Sequence, residues 1–126
     1  MNWLLIAIGG AVGSVARYGT SLLFFHPAQR TQLPWGTLAA NLLGCLLVGY
    51  VNGLLIEKLI RPEMRFLLTI GFLGGYTTFS TFGFETGAYL REGHYARAAT
   101  YLLVSNVAGV AMVFAGLALA RLHAGD

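Results

Sequence analysis

Charged side chains are scarce in this sequence. Asp, Glu, Lys and Arg make up only 10% of the 126 residues, whereas 56% of the residues are hydrophobic and the mean hydropathy is +0.67. A typical soluble domain has about a quarter of its residues charged, so the composition excludes an ordinary soluble protein. We therefore expect a membrane protein, and no nucleic acid partner.

Cysteine is almost absent too, since Cys45 is the single one in the chain. One thiol excludes a disulfide within the chain and a metal site built on cysteines. Cys45 lies inside an apolar stretch, and we interpret it as a small buried residue. The first residues, Met1 and Asn2, include no Lys or Arg, so the apolar stretch after them is interpreted as a transmembrane helix and not as a signal peptide.

Four apolar stretches are each about long enough to cross the ~30 Å hydrocarbon core of a bilayer. They run over Trp3–Phe25, Gly36–Ile56, Phe66–Leu90 and Ala98–Ala120. The segments between them, His26–Pro34, Glu57–Arg65 and Arg91–Arg97, hold most of the charges and all three prolines, which predicts short loops. We expect residues 1–126 to form one all-α domain of four transmembrane helices.

The basic residues do not select an orientation, although Lys and Arg in short loops normally lie on the cytoplasmic side. One predicted side has Lys58, Arg61, Arg65 and Arg121, and the other has Arg30, Arg91 and Arg97, with Arg17 near it. This balance suggests that copies insert both ways and form an antiparallel homodimer. A single orientation, chosen by a weak bias, is the alternative.

Small and polar residues follow the faces of the predicted helices. Glycines recur at G-x-x-x-G spacing, which lets helix backbones approach closely, in the pairs Gly9/Gly13, Gly49/Gly53, Gly71/Gly75 and Gly83/Gly87. Polar residues form one stripe in the second helix and one in the fourth: Thr37, Asn41 and Asn52, and then Tyr101 and Ser105. Such residues either hydrogen-bond between helices or line a hydrated path.

The third stretch contains GGYTTFSTFGFE, residues 74–85, where lipid-facing residues would be expected. Glycine costs about 1 kcal/mol of helix propensity relative to alanine, so a helix break is predicted near Gly74. Backbone carbonyls freed at a break in the bilayer core need a partner, and a small hard cation is one. The helix that resumes would direct free N–H groups towards an anion.

Phe79 and Phe82 are three residues apart and are predicted to share a face of the resumed helix. They are either ordinary apolar residues or rings whose positive edges favour an anion. Two ionisable residues, Arg17 and Glu85, lie within the stretches. They form an ion pair or lie near the aqueous ends of their helices, where Arg17 would attract anions into a vestibule.

Three strings together resemble the Fluc fluoride channels, also called the camphor-resistance or CrcB family: GGAVGSVARY at 9–18, GTLAANLLG at 36–44 and GFLGGYTTFSTFGFE at 71–85. The similarity covers the whole four-span layout. It implies a dual-topology homodimer with two antiparallel pores, in the inner membrane of a prokaryotic cell. Fluoride would leave the cytoplasm passively through these pores, with membrane lipid around the dimer.

The resemblance also assigns residues. It implies a fluoride pathway through Asn41, Phe79, Phe82, Tyr101 and Ser105, with Thr37 near it. It implies a structural sodium ion at the dimer axis, held by the backbone carbonyls of Gly74 and Thr77. Arg17 and Glu85 match the arginine of the first helix and the carboxylate after the FSTF run.

Two other functions are weighed against a channel. A proton-coupled exporter of small cations resembles the small multidrug transporters, which also have four short spans. Those depend on a glutamate in the first helix, and here that helix has Arg17 and no carboxylate. Glu85 would have to take the proton instead. A purely structural membrane subunit would carry no flux at all.

Overall fold

The apolar stretches fold into helices that begin and end close to the predicted residues. A computed structural model describes residues 1–24 and 33–125, and within them it contains helices and no strands. The elements are α1 (Asn2–Leu23), α2 (Trp35–Ile56), a π-helical segment (Phe66–Leu73), α3 (Gly74–Tyr76), α4 (Phe79–Arg91) and α5 (Tyr95–His123). The predicted end of the first span at Phe25 and most of the first loop lie outside the described residues.

Two of the described helices are long and apolar enough to cross a membrane, α2 with 22 residues and α5 with 29. Helix α1 also has 22 residues, but Arg17 and its small polar residues lower its hydropathy. The third predicted span is divided among three helical elements, none of which is long enough alone. Length and hydropathy therefore support two of the four predicted spans directly.

Glycines set the close packing of α2 against α5. A Cβ atom added at Gly49 would overlap the backbone of Val113, and one at Gly53 would overlap the side chain of Ala120. On α5, a Cβ atom at Gly116 would overlap the backbone of α2 at Leu46 and Tyr50. Residues later in α2 meet residues later in α5, so the two helices run parallel.

A second glycine seam joins α1 to the π-helical segment and α3. Cβ atoms at Gly9 and Gly13 would overlap backbone atoms of the π-helical segment, and one at Gly75 would lie 2.6 Å from the Gly10 carbonyl. Three of the four predicted glycine pairs thus lie at close helix contacts. The fourth does not, because Gly83 and Gly87 have nothing within 4 Å of an added Cβ.

Two residues with extended backbone separate α3 from α4. Thr77 has φ −86° and ψ 157°, and Thr78 has φ −148° and ψ 116°. Gly74 has φ −61° and ψ −37°, which is helical, so the extended backbone begins three residues after the position near Gly74 where the break was predicted. The Thr78 side chain accepts a hydrogen bond from the Thr81 N–H (3.2 Å), as N-cap threonines commonly do, and this capping places the start of α4.

Candidate functional site

The extended backbone between α3 and α4 is held by one side chain from α2. The Asn41 Oδ1 accepts from the Thr78 N–H (2.8 Å), and the Asn41 Nδ2 donates to the Thr78 carbonyl (3.0 Å). An amide side chain has both a donor and an acceptor, so it satisfies both backbone groups that the helix no longer pairs. Asn41 was predicted to line the fluoride pathway, but its pairing with the Thr78 backbone was not predicted.

Two further contacts flank the extended residues. On one side, a Cβ atom at Gly44 would overlap the Thr77 methyl group, so the absence of a side chain at Gly44 lets Thr77 lie against α2. On the other side, the Tyr76 hydroxyl shares a 2.8 Å hydrogen bond with the Thr20 hydroxyl of α1. The Tyr76 ring is buried and stacks on Phe72, with ring centroids 5.7 Å apart. The extended residues are therefore fixed from both α1 and α2.

An open groove of about 370 Å³ lies beside the extended residues. Four of the predicted pathway residues line it together: Asn41, Phe79, Phe82 and Ser105. The backbone-site residues Gly74 and Thr77 line it as well. The lining includes no Asp, Glu, Lys, Arg or His among the described residues, so the groove offers neutral hydrogen-bonding groups and aromatic rings.

Three aromatic rings are arranged in series, of which Phe79 and Phe82 line the groove. Phe79 is 83% exposed and Phe82 is 7% exposed, and their ring centroids are 5.7 Å apart at an interplanar angle of 49°. The ring of Tyr101, which is fully buried, meets Phe82 edge to face at 4.9 Å and 63°. Tilted ring pairs of this kind bring the positive edge of one ring towards the face of its neighbour.

The remaining predicted pathway residues lie apart from the groove, with Glu85. The Thr37 hydroxyl donates to the Glu85 Oε1 at 2.7 Å. The Tyr101 hydroxyl lies beside this pair, but it meets no described residue with hydrogen-bond geometry. Thr37, Tyr101 and Glu85 thus form a polar cluster on the far side of Phe82 from the open groove.

Arg17 and Glu85 do not form an ion pair. Within residues 1–24 and 33–125, the single pair of a basic and an acidic side chain within 4 Å is His94 with Glu92, at 3.8 Å. The Nε atom of Arg17 is buried and has no hydrogen-bond partner among the described residues. Of the two arrangements weighed for Arg17 and Glu85, the structure does not contain the ion pair.

Carbonyl oxygens beside the extended residues are available to a ligand. Within the described part of the chain, no N–H or hydroxyl outside the helices donates to the carbonyls of Gly74 or Thr77. Such oxygens suit a small hard cation, so the backbone there fits a sodium ion chemically. No group of three or more His, Cys, Asp or Glu among the described residues could hold a metal ion instead.

The predicted pathway did not include three residues that line the groove, Thr69, Thr78 and Asn106. Asn106 lies next to Ser105, and its side-chain amide donates to the Leu102 carbonyl of its own helix (2.7 Å). Thr69 lies in the π-helical segment, whose wider turn is not encoded by a local pattern of apolar residues. The position of Asn106 could have been derived from the stripe that contains Ser105.

Comparisons with known proteins give one consistent result. A family model described as CrcB-like protein, Camphor Resistance (CrcB), matches residues 4–117. A protein of Leptospira interrogans named fluoride-specific ion channel FluC is 47% identical over 115 residues, which cover 90% of each chain. Proteins of the same name are 45% identical in Chlorobaculum tepidum, over 96% of this chain and 95% of the relative, and 42% identical in Methylobacillus flagellatus, over 94% of each. The chain belongs to the CrcB family of bacterial membrane proteins.

Proposed function

We propose that this protein is a fluoride-selective channel that lets fluoride leave the cytoplasm down its electrochemical gradient. Relatives named fluoride-specific ion channels cover nearly the whole chain. The groove beside Thr77 and Thr78 carries the proposal, because amide and hydroxyl groups and phenylalanine rings meet there without a carboxylate. In this reading the protein is no enzyme and lowers fluoride toxicity in the inner membrane of a bacterium.

Fluoride is small and strongly hydrated, so a pore has to replace its water with donors that bind weakly enough to release it. The Ser105 hydroxyl suits this role, because no described residue has a hydrogen bond with it and it lines the groove. The Asn41 amide has a second N–H beyond the one it gives to Thr78. The positive edges of Phe79 and Phe82 add attraction without a formal charge.

We propose that the groove is completed by a second, antiparallel copy of the chain. Phe79 is 83% exposed, although it lines the groove together with the buried Phe82. Exposing the polar groups of the groove to lipid would cost free energy, because lipid offers them no hydrogen-bond partner. A partner packed over this face would turn the open groove into an enclosed pore. A C-terminal tag should then be labelled from both sides of the membrane, and labelling from one side alone would contradict the antiparallel arrangement.

We propose that a structural sodium ion is held at the dimer axis by the carbonyls of Gly74 and Thr77. Two such oxygens from each chain would give four ligands. The ion would hold the extended backbone in place and would not be transported. Replacing sodium with a bulky organic cation should therefore lower the unfolding temperature of the purified protein, and an unchanged temperature would remove this part of the proposal.

The test of the function is fluoride efflux from liposomes that contain purified protein, recorded with a fluoride electrode. Efflux should need an ionophore that compensates charge, should not respond to a proton gradient, and should fall about fivefold in Phe82→Ile, since an aromatic edge contributes on the order of 1 kcal/mol. Asn52→Leu is the control, because within the described part of the chain the Asn52 amide bonds to the Val48 carbonyl of its own helix alone, and Asn52 does not line the groove. Efflux coupled to protons would indicate an exporter, and no efflux a structural subunit.

A further inference from the structure

Helices α2 and α4 end in the same hydrogen-bonded motif. After α2, the Lys58 N–H donates to the Leu55 carbonyl (3.1 Å) and the Leu59 N–H to the Leu54 carbonyl (2.9 Å). After α4, the Gly93 N–H donates to the Leu90 carbonyl (3.2 Å) and the His94 N–H to the Tyr89 carbonyl (2.8 Å). Both are Schellman motifs, in which the residue after the C-cap adopts a left-handed conformation.

The two motifs differ in the residue at the left-handed position. After α4 it is Gly93, with φ 80°, and glycine adopts this conformation without steric conflict. After α2 it is Lys58, with φ 58°, the single non-glycine residue with positive φ in the described part of the chain. A lysine there is less favourable than a glycine, since its Cβ approaches the following carbonyl oxygen. A strained residue with a charged side chain suggests that the side chain has a use.

Lys58 lies in a connection that carries three cations and two carboxylates, Glu57 and the exposed Glu63. Arg61 and Arg65 follow within seven residues, all three side chains are exposed, and none forms an ion pair among the described residues. The Arg65 guanidinium lies over the Phe66 ring, 5.8 Å from its centroid, at the start of the π-helical segment. Ile56 and Leu59, which are 70% and 46% exposed, lie within two residues of Lys58, so exposed apolar and charged side chains are close together in this part of the chain.

We propose that Lys58, Arg61 and Arg65 form a binding surface for anionic phospholipid head groups, here called the lipid-phosphate surface. Charge complementarity supports the assignment, because the three cations outnumber the carboxylates of Glu57 and Glu63 and basic residues next to transmembrane helices bind anionic lipids. A cation at the end of α2 also interacts with the helix dipole, but that contribution is the same whether or not anionic lipid is present. The strain at Lys58 is then offset in the membrane by the bound phosphate.

The test is the thermal unfolding of the full-length protein in a neutral detergent, with phosphatidylglycerol or phosphatidylcholine added. Phosphatidylglycerol should raise the unfolding temperature of the wild type, and phosphatidylcholine should not. Lys58→Gln should weaken the response to phosphatidylglycerol about fivefold in half-saturating concentration, and the triple variant with Arg61→Gln and Arg65→Gln on the order of 100-fold. Lys58→Gly should raise the unfolding temperature without lipid while also weakening that response.

Arg91→Gln is the matched control, because Arg91 is also exposed and also lies over an aromatic ring, that of Phe84 (6.0 Å), at the opposite end of the helices. Its response to phosphatidylglycerol should equal that of the wild type. An undiminished response in the triple variant, or an equal loss in Arg91→Gln, would overturn the proposal. If inorganic phosphate at the same concentration stabilises the wild type equally, the surface binds a free anion and the assignment to lipid is wrong.

Discussion

At the scale of single residues, the Asn41 side chain supplies the hydrogen bonds that the backbone of a continuous helix would give to Thr78. Its amide pairs with both the N–H and the carbonyl of Thr78, a residue 37 positions later in the chain. The polar stripe of the second helix identified Asn41 as unusual, but its partner is set by tertiary contact and has no local signal. The same holds for Thr37, whose hydroxyl binds Glu85 across 48 positions.

Replacing Asn41 with leucine should therefore destabilise the protein markedly. Two partly buried backbone groups of Thr78 would lose their partner. Each fully buried unsatisfied group costs about 1–3 kcal/mol, so a loss of about 2 kcal/mol is expected for this pair. Chemical unfolding in detergent measures the free energy of unfolding. Asn52→Leu, which removes a bond within one helix turn, should lose less than about 1 kcal/mol. Equal losses in the two variants would show that Asn41 does not hold the extended residues.

At the scale of helices, glycines decide which surfaces meet. Apolar runs predicted the ends of the helices to within a few residues. An apolar run of that length either crosses the bilayer or is buried in the protein, and in both cases it forms a helix. The interruption was misplaced because glycine was treated as a helix breaker. Gly71 and Gly75 instead remain helical and make close contacts with α1, while the extended conformation falls on Thr77 and Thr78.

Alanine at Gly49 should weaken the α2–α5 seam. The added Cβ would overlap the Val113 backbone, which cannot move aside as a flexible side chain would, and overpacking of this kind costs about 1–3 kcal/mol. Gly19→Ala is the matched control, because nothing lies within 4 Å of its added Cβ, Gly19 does not line the groove, and alanine favours the helix by up to about 1 kcal/mol. Thermal unfolding in detergent should thus move in opposite directions, and a stabilised Gly49→Ala would contradict the seam.

At the scale of the whole molecule, a single copy of the chain exposes too much apolar surface to be stable alone in water. Phe79, Phe84, Phe114 and Trp3 are each at least 66% exposed. Composition predicted the membrane environment, and the motif strings predicted the family. The separation of Thr37 and Tyr101 from the groove could not be predicted, since it depends on how the faces of α2 and α5 pack around Phe82.

The central claim is that this groove gives passive and selective passage to fluoride. The most direct measurement is the reversal potential of the reconstituted protein in a planar bilayer, with fluoride on one side and chloride on the other. We predict a potential that follows the fluoride gradient and does not shift when a pH difference is imposed. A potential that follows chloride, or one that moves with the pH difference, would contradict the claim.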